Sequence, residues 1–485
     1  MGNSPLGAFH GFVPEDCSAV IVGKEASATG EVLFGHNEDD SGNNVMVQHL
    51  VPRATHQPGK LVELEPECAK IPQVGQTWAY LWSETRADWK ASFSDTFINE
   101  RGVAIASDNC SPSREDMPEI TNGGIGYGLG HIIAQRARTA REGVEIAAEL
   151  IEKYGYTASG RAYLIVDKGE GWVLQVVQGK HYVAKRVPDD HVLFIPNWYT
   201  IYRVDLSDKA NYIASEDIII YAISRGWYTP ERPGDYSDFS FALAYQDPEK
   251  NQDGNMVRHK NALRLILKRE PADIRAFSVK PQEKLGVDDV KAILRTHYEG
   301  TDDDLSNGYV VNPHRTGKRT ICTSTTLESF VVQFREQAEL TCIWRALLNP
   351  CTSPYVPWYL GITKVPAGYT WMSPEEALAS HFSVPQSDLS YRPGRAWWAF
   401  RNVQDLADAA YAEVFPEIRE ARDALEKTWA EQQIQFERQV YGVFKEDPEK
   451  ARAMLTDYTQ AQAVRAWRTW WALFQRLMQK GCRSL

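Results

Sequence analysis

The chain has 485 residues, 43% hydrophobic and 24% charged, the balance of a soluble globular protein rather than a disordered, collagen-like or disulfide-scaffold chain. Its 64 acidic residues outnumber 53 basic ones, giving a net charge of −11, which repels a phosphate backbone. The nearest approach to a basic patch, from Arg264 to Arg269, reads as one face of a helix, so nucleic acid is not an expected partner.

The seven cysteines are scattered at 17, 68, 110, 322, 342, 351 and 482. None forms a CxxC pair, so neither a zinc knuckle nor a thioredoxin-type site is expected, and no cofactor or metal is assigned. No apolar run approaches the roughly 18 residues of a membrane span, so no membrane partner is expected. The first sixteen residues lack both a basic start and an apolar h-region, and are not a complete signal peptide. They also fail the myristoylation pattern, which wants Ser or Thr where Leu6 stands.

In chain order, residues 17–23 read as a buried strand and residues 31–35 as a second, running into His36, Asn37, Glu38, Asp39 and Asp40. A Gly-containing turn joins them, which predicts a hairpin. Antiparallel pairing then carries Cys17 to the polar cluster. A further β pair is predicted over 94–98 and 103–106. Thr139 and Glu142 fit a capping box for a helix whose apolar positions are Val144, Ala147, Ala148 and Ile151, closed by Gly155. A meander is predicted over 163–167, 172–177, 182–186 and 192–195. Residues 205–310 mix helices and polar loops, 324–334 and 342–347 are strands, and the chain is helix-rich from about Asp405. There Val464, Trp467, Trp471, Phe474 and Met478 form an apolar stripe expected to pack on the core. Strands before and after a helical layer indicate α+β rather than a doubly wound sheet. The expected organisation is a leader, 1–16, one large domain, 17–400, and a helical region, 401–485, packed on it.

HExxH, GxSxG, P-loop and kinase signatures are absent, and the glycine run 123–130 does not fit GxGxxG. What remains is Cys17 with the polar cluster. A lone strand cysteine is ordinarily a small buried hydrophobe. The chemical reading is that the leader is cut before Cys17, freeing an α-amine whose pKa of roughly 8 suits a general base. One residue then supplies nucleophile and base. Such a site needs a carboxylate, for which Asp39 is the candidate, and amide donors for the oxyanion, for which Asn109 and Asn197 are candidates.

The segments 17–24 and 35–39, the Ile98-Asn-Glu-Arg-Gly-Val-Ala104 turn, the 139–155 helix, the 186–197 run, Ile213-Ala-Ser215, Arg225-Gly-Trp227, Cys351-Thr-Ser-Pro-Tyr-Val-Pro357 and the 361–366 run together resemble the C69 family of dipeptidases. These are N-terminal-nucleophile hydrolases akin to bile-salt hydrolases and penicillin V acylases. The resemblance implies a four-layer αββα sandwich with Cys17 as nucleophile and Asp39 contacting its freed amine. It also implies an oxyanion asparagine at Asn109, a second site asparagine at Asn197, and a late arginine, Arg258 or Arg264. His36 and Asn37 are expected to meet substrate. His36 departs from the family, many of whose members carry arginine there; histidine is a cation only when protonated. The expected activity is hydrolysis of dipeptides or short amides once the leader is removed. Alternatives are an acylase acting on N-acyl amides, or a catalytically silent scaffold. A small peptide or amide is the expected partner, and a homo-oligomer is compatible with the sequence.

Overall fold

The computed structural model describes residues 17–87, 95–114 and 119–481. The expected leader, 1–16, and Ser94 of the predicted β pair lie outside the described residues.

The described chain opens with β1 (Ser18–Val22), β2 (Leu33–Asp39) and β3 (Asn44–Val51). Four two-residue strands, β4 (Ala54–Thr55), β5 (Leu61–Val62), β6 (Ile71–Pro72) and β7 (Gln76–Thr77), make two small ladders, β4 with β7 and β5 with β6. β8 (Tyr80–Ala87), β9 (Thr96–Asn99) and β10 (Ala104–Asn109) precede α1 (Leu129–Arg136) and α2 (Ala140–Tyr154). Then come β11 (Arg161–Val166), β12 (Gly171–Val176), β13 (Tyr182–Arg186), β14 (Val192–Ile195) and β15 (Tyr212–Ala214). Helices α3 (Ile218–Ser224), α4 (Phe241–Tyr245), α5 (Asp253–Leu267) and α6 (Val287–Arg295) lead to β16 (Thr326–Gln333), β17 (Cys342–Leu347) and β18 (Val356–Tyr359). The chain ends in α7 (Pro374–Ser380), α8 (Ala396–Ala409), α9 (Tyr411–Phe444) and α10 (Pro448–Gly481).

Two antiparallel sheets stack face to face. The six-stranded sheet runs β14–β1–β2–β16–β17–β18 and the eight-stranded sheet β15–β13–β12–β11–β10–β9–β8–β3. Their inner faces share one apolar core, in which Ile21 of β1 meets β12. A Cβ on Gly171 would stand 2.7 Å from Ile21 Cγ2, so Gly171→Ala overpacks the layer at a cost of about 1–3 kcal/mol. The outer face of the eight-stranded sheet buries Ile105, Ile165 and Leu174 against Ile133 and Val144 of α1 and α2. The outer face of the other sheet carries α5 and α6. Gly35 of β2 lets α6 come close, since a Cβ there would lie 2.6 Å from Val290 Cγ1. The result is the αββα sandwich of an α+β protein. Because β1 is covered on both faces, it reads after Ser18 as the unbroken apolar run Ala-Val-Ile-Val rather than an alternating one.

The β1–β2 hairpin forms as predicted, with Ser18 opposite Asn37. Thr139 caps α2 by accepting from the Glu142 amide, and Gly155 ends it at φ 78°. Two expectations differ from the structure, one over a strand and one over a helix face. The 192–195 strand is not the fourth of a meander: β14 crosses to the other sheet and pairs with β1, Ala19 opposite Ile195. Alternation and turn residues predict strands but carry no record of which sheet a strand joins. Helix α8, which spans the expected 400/401 boundary, and α10 bury Phe400 and Trp470 in the same core as the sandwich. The α10 face pressed on that core is Ala463, Ala466, Trp470, Leu473 and Leu477, while Met478 of the predicted stripe is 42% exposed. Trp467, Trp471 and Phe474 of the stripe are partly buried against the same core, beside that face rather than at its centre. Among the described residues, no helix is long and apolar enough to cross a membrane.

Candidate active site

Cys17 precedes β1 at the end of the hairpin, and its cross-strand neighbour on β2 is Glu38. Its sulfur lies 3.4 Å from Glu38 Oε1 and 3.9 Å from the Asp39 carbonyl oxygen. Side chains alternate along a strand, so β2 sends His36 and Glu38 to one face and Asn37 and Asp39 to the other. His36 turns toward the second sheet, where its Nε2 meets Asp108 Oδ1 of β10 at 2.8 Å. Asn37 turns toward α6 and donates to the Leu294 carbonyl at 2.8 Å and the Ile321 carbonyl at 3.3 Å.

Asp39 also turns away from the sulfur. Its carboxylate accepts from Arg319 Nη2 at 2.8 Å and from Thr326 Oγ1 at 2.5 Å. The carboxylate that touches the thiol is therefore Glu38, a residue within the acidic run that spacing alone did not single out.

Arg258 of α5 is buried and reaches the backbone of Cys17, donating from Nη1 to the Cys17 carbonyl at 2.8 Å. Its Nη2 donates to Asn197 Oδ1 at 2.7 Å and to Asn255 Oδ1 at 2.5 Å. Asn197 Nδ2 in turn donates to the Asn109 carbonyl at 2.8 Å. Asn109 Oδ1 accepts from Ser159 Oγ at 3.2 Å, leaving its Nδ2 without a partner among the described residues. Of the two arginine candidates, Arg258 is the one that reaches Cys17. Arg264 lies six residues further along α5, about 240° round the helix, and it bonds Asn261 Oδ1 and ion-pairs with Glu270 instead. It does not reach Cys17.

Arg161 of β11 stands opposite Asn109 in the sheet. Its guanidinium donates to Ser107 Oγ at 2.9 Å and lies over the Tyr127 ring at 4.8 Å. Together with Asp108 it forms the wall facing Cys17 from the second sheet. Neither residue carries a local sequence signal, since only the stacking of the sheets brings β10 and β11 over β1.

Burial pushes the Cys17 thiol well above its ordinary value, and the charges of Glu38, Asp108 and Asp39 push it further in that order. Burial likewise raises the Asp108 carboxyl, against the opposing pull of His36, Arg258 and Arg161. A thiol with an acylated nitrogen in this setting stays protonated. Turning it into a nucleophile requires a base or a nearby cation.

Two groups of described side chains place metal-ligand atoms within 4.8 Å of one another. One, Cys17, His36 and Glu38, is the site itself. The other is His297, His314, Cys322 and Cys351.

The chain belongs to peptidase family C69, whose family model matches residues 16–424; it is thus a peptide-bond hydrolase. It is 27% identical over 415 residues to a probable dipeptidase of Latilactobacillus sakei, covering 79% of this chain and 85% of that one. It is 25% identical over 443 residues to a dipeptidase of Bifidobacterium longum, covering 81% and 78%. The crystal structure of a mutant conjugated bile acid hydrolase from Clostridium perfringens matches at 12% identity and TM-score 0.28, covering 68% of this chain and 89% of that one. That superposition is too loose to bear on the site.

Proposed function

We propose that this chain hydrolyses dipeptides or similarly short amides, with Cys17 acting as an N-terminal nucleophile after the bond between residues 16 and 17 is cut. The observation that carries the reading is the environment of Cys17: its sulfur beside Glu38, its carbonyl held by Arg258. Freed, the α-amine takes the thiol proton and the thiolate attacks the substrate carbonyl. The amine then returns that proton to the leaving amine, and water hydrolyses the thioester.

Asn109 Nδ2 is the proposed donor to the oxyanion. Asn197, whose Nδ2 is committed to the Asn109 backbone, is a positioning residue. Asp39, fixed by Arg319 and Thr326, is the proposed carboxylate partner of the ammonium form. His36 is held through Nε2 by Asp108 and keeps an Nδ1 without a partner among the described residues, which suits it to a polar group of the substrate. Asn37 is committed to backbone carbonyls and holds β2 to α6 instead.

The test compares wild type with Cys17→Ala, by intact mass and by turnover of free dipeptides against N-acyl amino acids. A wild-type chain beginning at Cys17 that cleaves dipeptides, beside an inactive variant, is the expected result. Undiminished turnover by Cys17→Ala overturns the assignment, and a preference for N-acyl amino acids moves the chain to the acylase reading.

A further inference from the structure

Four side chains that no sequence motif links converge where the end of α6, the segment before β16 and the β17–β18 turn meet. The Nε2 atoms of His297 and His314 face each other at 3.0 Å. His314 Nε2 also lies 3.8 Å from Cys322 Sγ and 3.7 Å from Cys351 Sγ. All four ligand atoms fall within 4.8 Å of one another. Zinc bound tetrahedrally by two thiolates and two imidazoles sets its ligand atoms about 3.3–3.8 Å apart, so a small inward movement completes the set.

The surroundings point the same way. His297 Nδ1 meets Glu299 Oε1 at 3.0 Å, and the Tyr309 hydroxyl steadies that carboxylate at 2.6 Å. His314 Nδ1 faces Asp408 Oδ1 at 3.6 Å. Both imidazoles turn Nε2 inward; His297 Nδ1 bonds a carboxylate, the outer-shell pattern of metal-bound histidine, while His314 Nδ1 faces one beyond hydrogen-bond reach. With Nδ1 protonated, two Nε2 lone pairs point at one another, an arrangement that calls for a cation between them. Two sulfurs in the same shell select a borderline-soft metal over magnesium or calcium.

We propose that His297, His314, Cys322 and Cys351 form a closed Cys2His2 zinc site. Binding forms two Zn–S and two Zn–N bonds and releases both thiol protons to solvent. Four protein ligands leave no open position, so the ion is structural rather than catalytic. It pins the segment that carries Arg319 and Thr326 to Asp39, and through Asp408 it ties α8 to the sandwich. A 530 Å³ cleft lined in part by His297, Glu299 and Cys351 gives the ion a way in.

The full chain, expressed with zinc in the medium and desalted, is assayed by inductively coupled plasma mass spectrometry. About one zinc per chain is expected, falling to near zero in Cys322→Ser/Cys351→Ser and unchanged in Cys68→Ser. After chelation, wild-type protein given Co(II) should show the visible bands of a tetrahedral ion and a thiolate-to-cobalt charge-transfer band, both abolished by zinc. That readout needs no variant and decides the matter if the double variant does not fold. Wild-type protein that takes up neither metal overturns the proposal. So does a Cys322–Cys351 disulfide in the native chain, or full zinc content in a folded double variant.

Discussion

Arg258 donates to the Cys17 carbonyl oxygen at 2.8 Å from one end of a guanidinium whose other end holds two asparagine oxygens. A single buried fork thereby fixes where the Cys17 backbone stands relative to Asn197, and through it Asn109. Lysine carries the charge but not the planar fork. Arg258→Lys should strand at least one buried amide oxygen, at a cost of about 1–3 kcal/mol in urea denaturation. A misplacement of that energy at the site should lower kcat/KM by about tenfold or more. A variant matching wild type in both measurements would remove Arg258 from this role.

The thiol offers a second prediction, and its sign follows from the charges around it. Glu38, Asp108 and Asp39 each raise the Cys17 pKa on top of burial, Glu38 most among the three. Removing one negative charge eases formation of the thiolate. The pH midpoint of Cys17 alkylation should therefore move to lower pH in Glu38→Gln, and by less in Asp108→Asn. A midpoint that rises in Glu38→Gln would show that the carboxylate supports the thiolate by some other route, and would contradict the geometry at 3.4 Å.

Local chemistry explains which features were legible in the sequence. The hairpin, the α2 cap and the Cys17–cluster juxtaposition depend on contiguous residues, and each was readable from turn, cap and periodicity signals. Period-2 alternation also separates His36 and Glu38 from Asn37 and Asp39, which in retrospect assigns Glu38 to the sulfur side. Arg161, Asp108 and Arg319 were not legible, because each reaches the site only through sheet stacking or a segment some 280 positions distant from its partner (Arg319 with Asp39). The choice of Arg258 over Arg264 likewise needed the rotation of α5 relative to β1. The cluster around His314 is the extreme case: its members stand at 297, 314, 322 and 351, a spacing that matches no metal motif.

Away from the site, a buried charge cluster makes stability depend on pH in a definite direction. His381 sits between Glu84 Oε1 at 3.0 Å and Asp95 Oδ2 at 3.1 Å. Burial alone would depress its imidazolium, but the Asp95 and Glu84 carboxylates raise it to about 10 from an ordinary 6.5. Glu84 behaves oppositely: burial would raise it, yet hydrogen bonds from His381 and His49 and the charges of His381 and Arg86 hold it at about 2 against an ordinary 4.5. A raised histidine stabilises fully below its unfolded pKa, and that contribution disappears as pH climbs through its folded pKa. For His381 the loss runs from 6.5 to about 10. A depressed carboxylate stabilises above its unfolded pKa, and for Glu84 the loss runs from 4.5 down to about 2. The cluster therefore contributes most between those limbs. His381→Gln should cost about 3–5 kcal/mol at pH 6, the penalty for removing one partner of a buried ion pair. The gap should close toward pH 10, where the wild-type imidazole has lost its proton. Thermal melts of both proteins across that range measure it, and a gap that stays constant with pH would show that His381 acts by packing against Trp82 and not by charge.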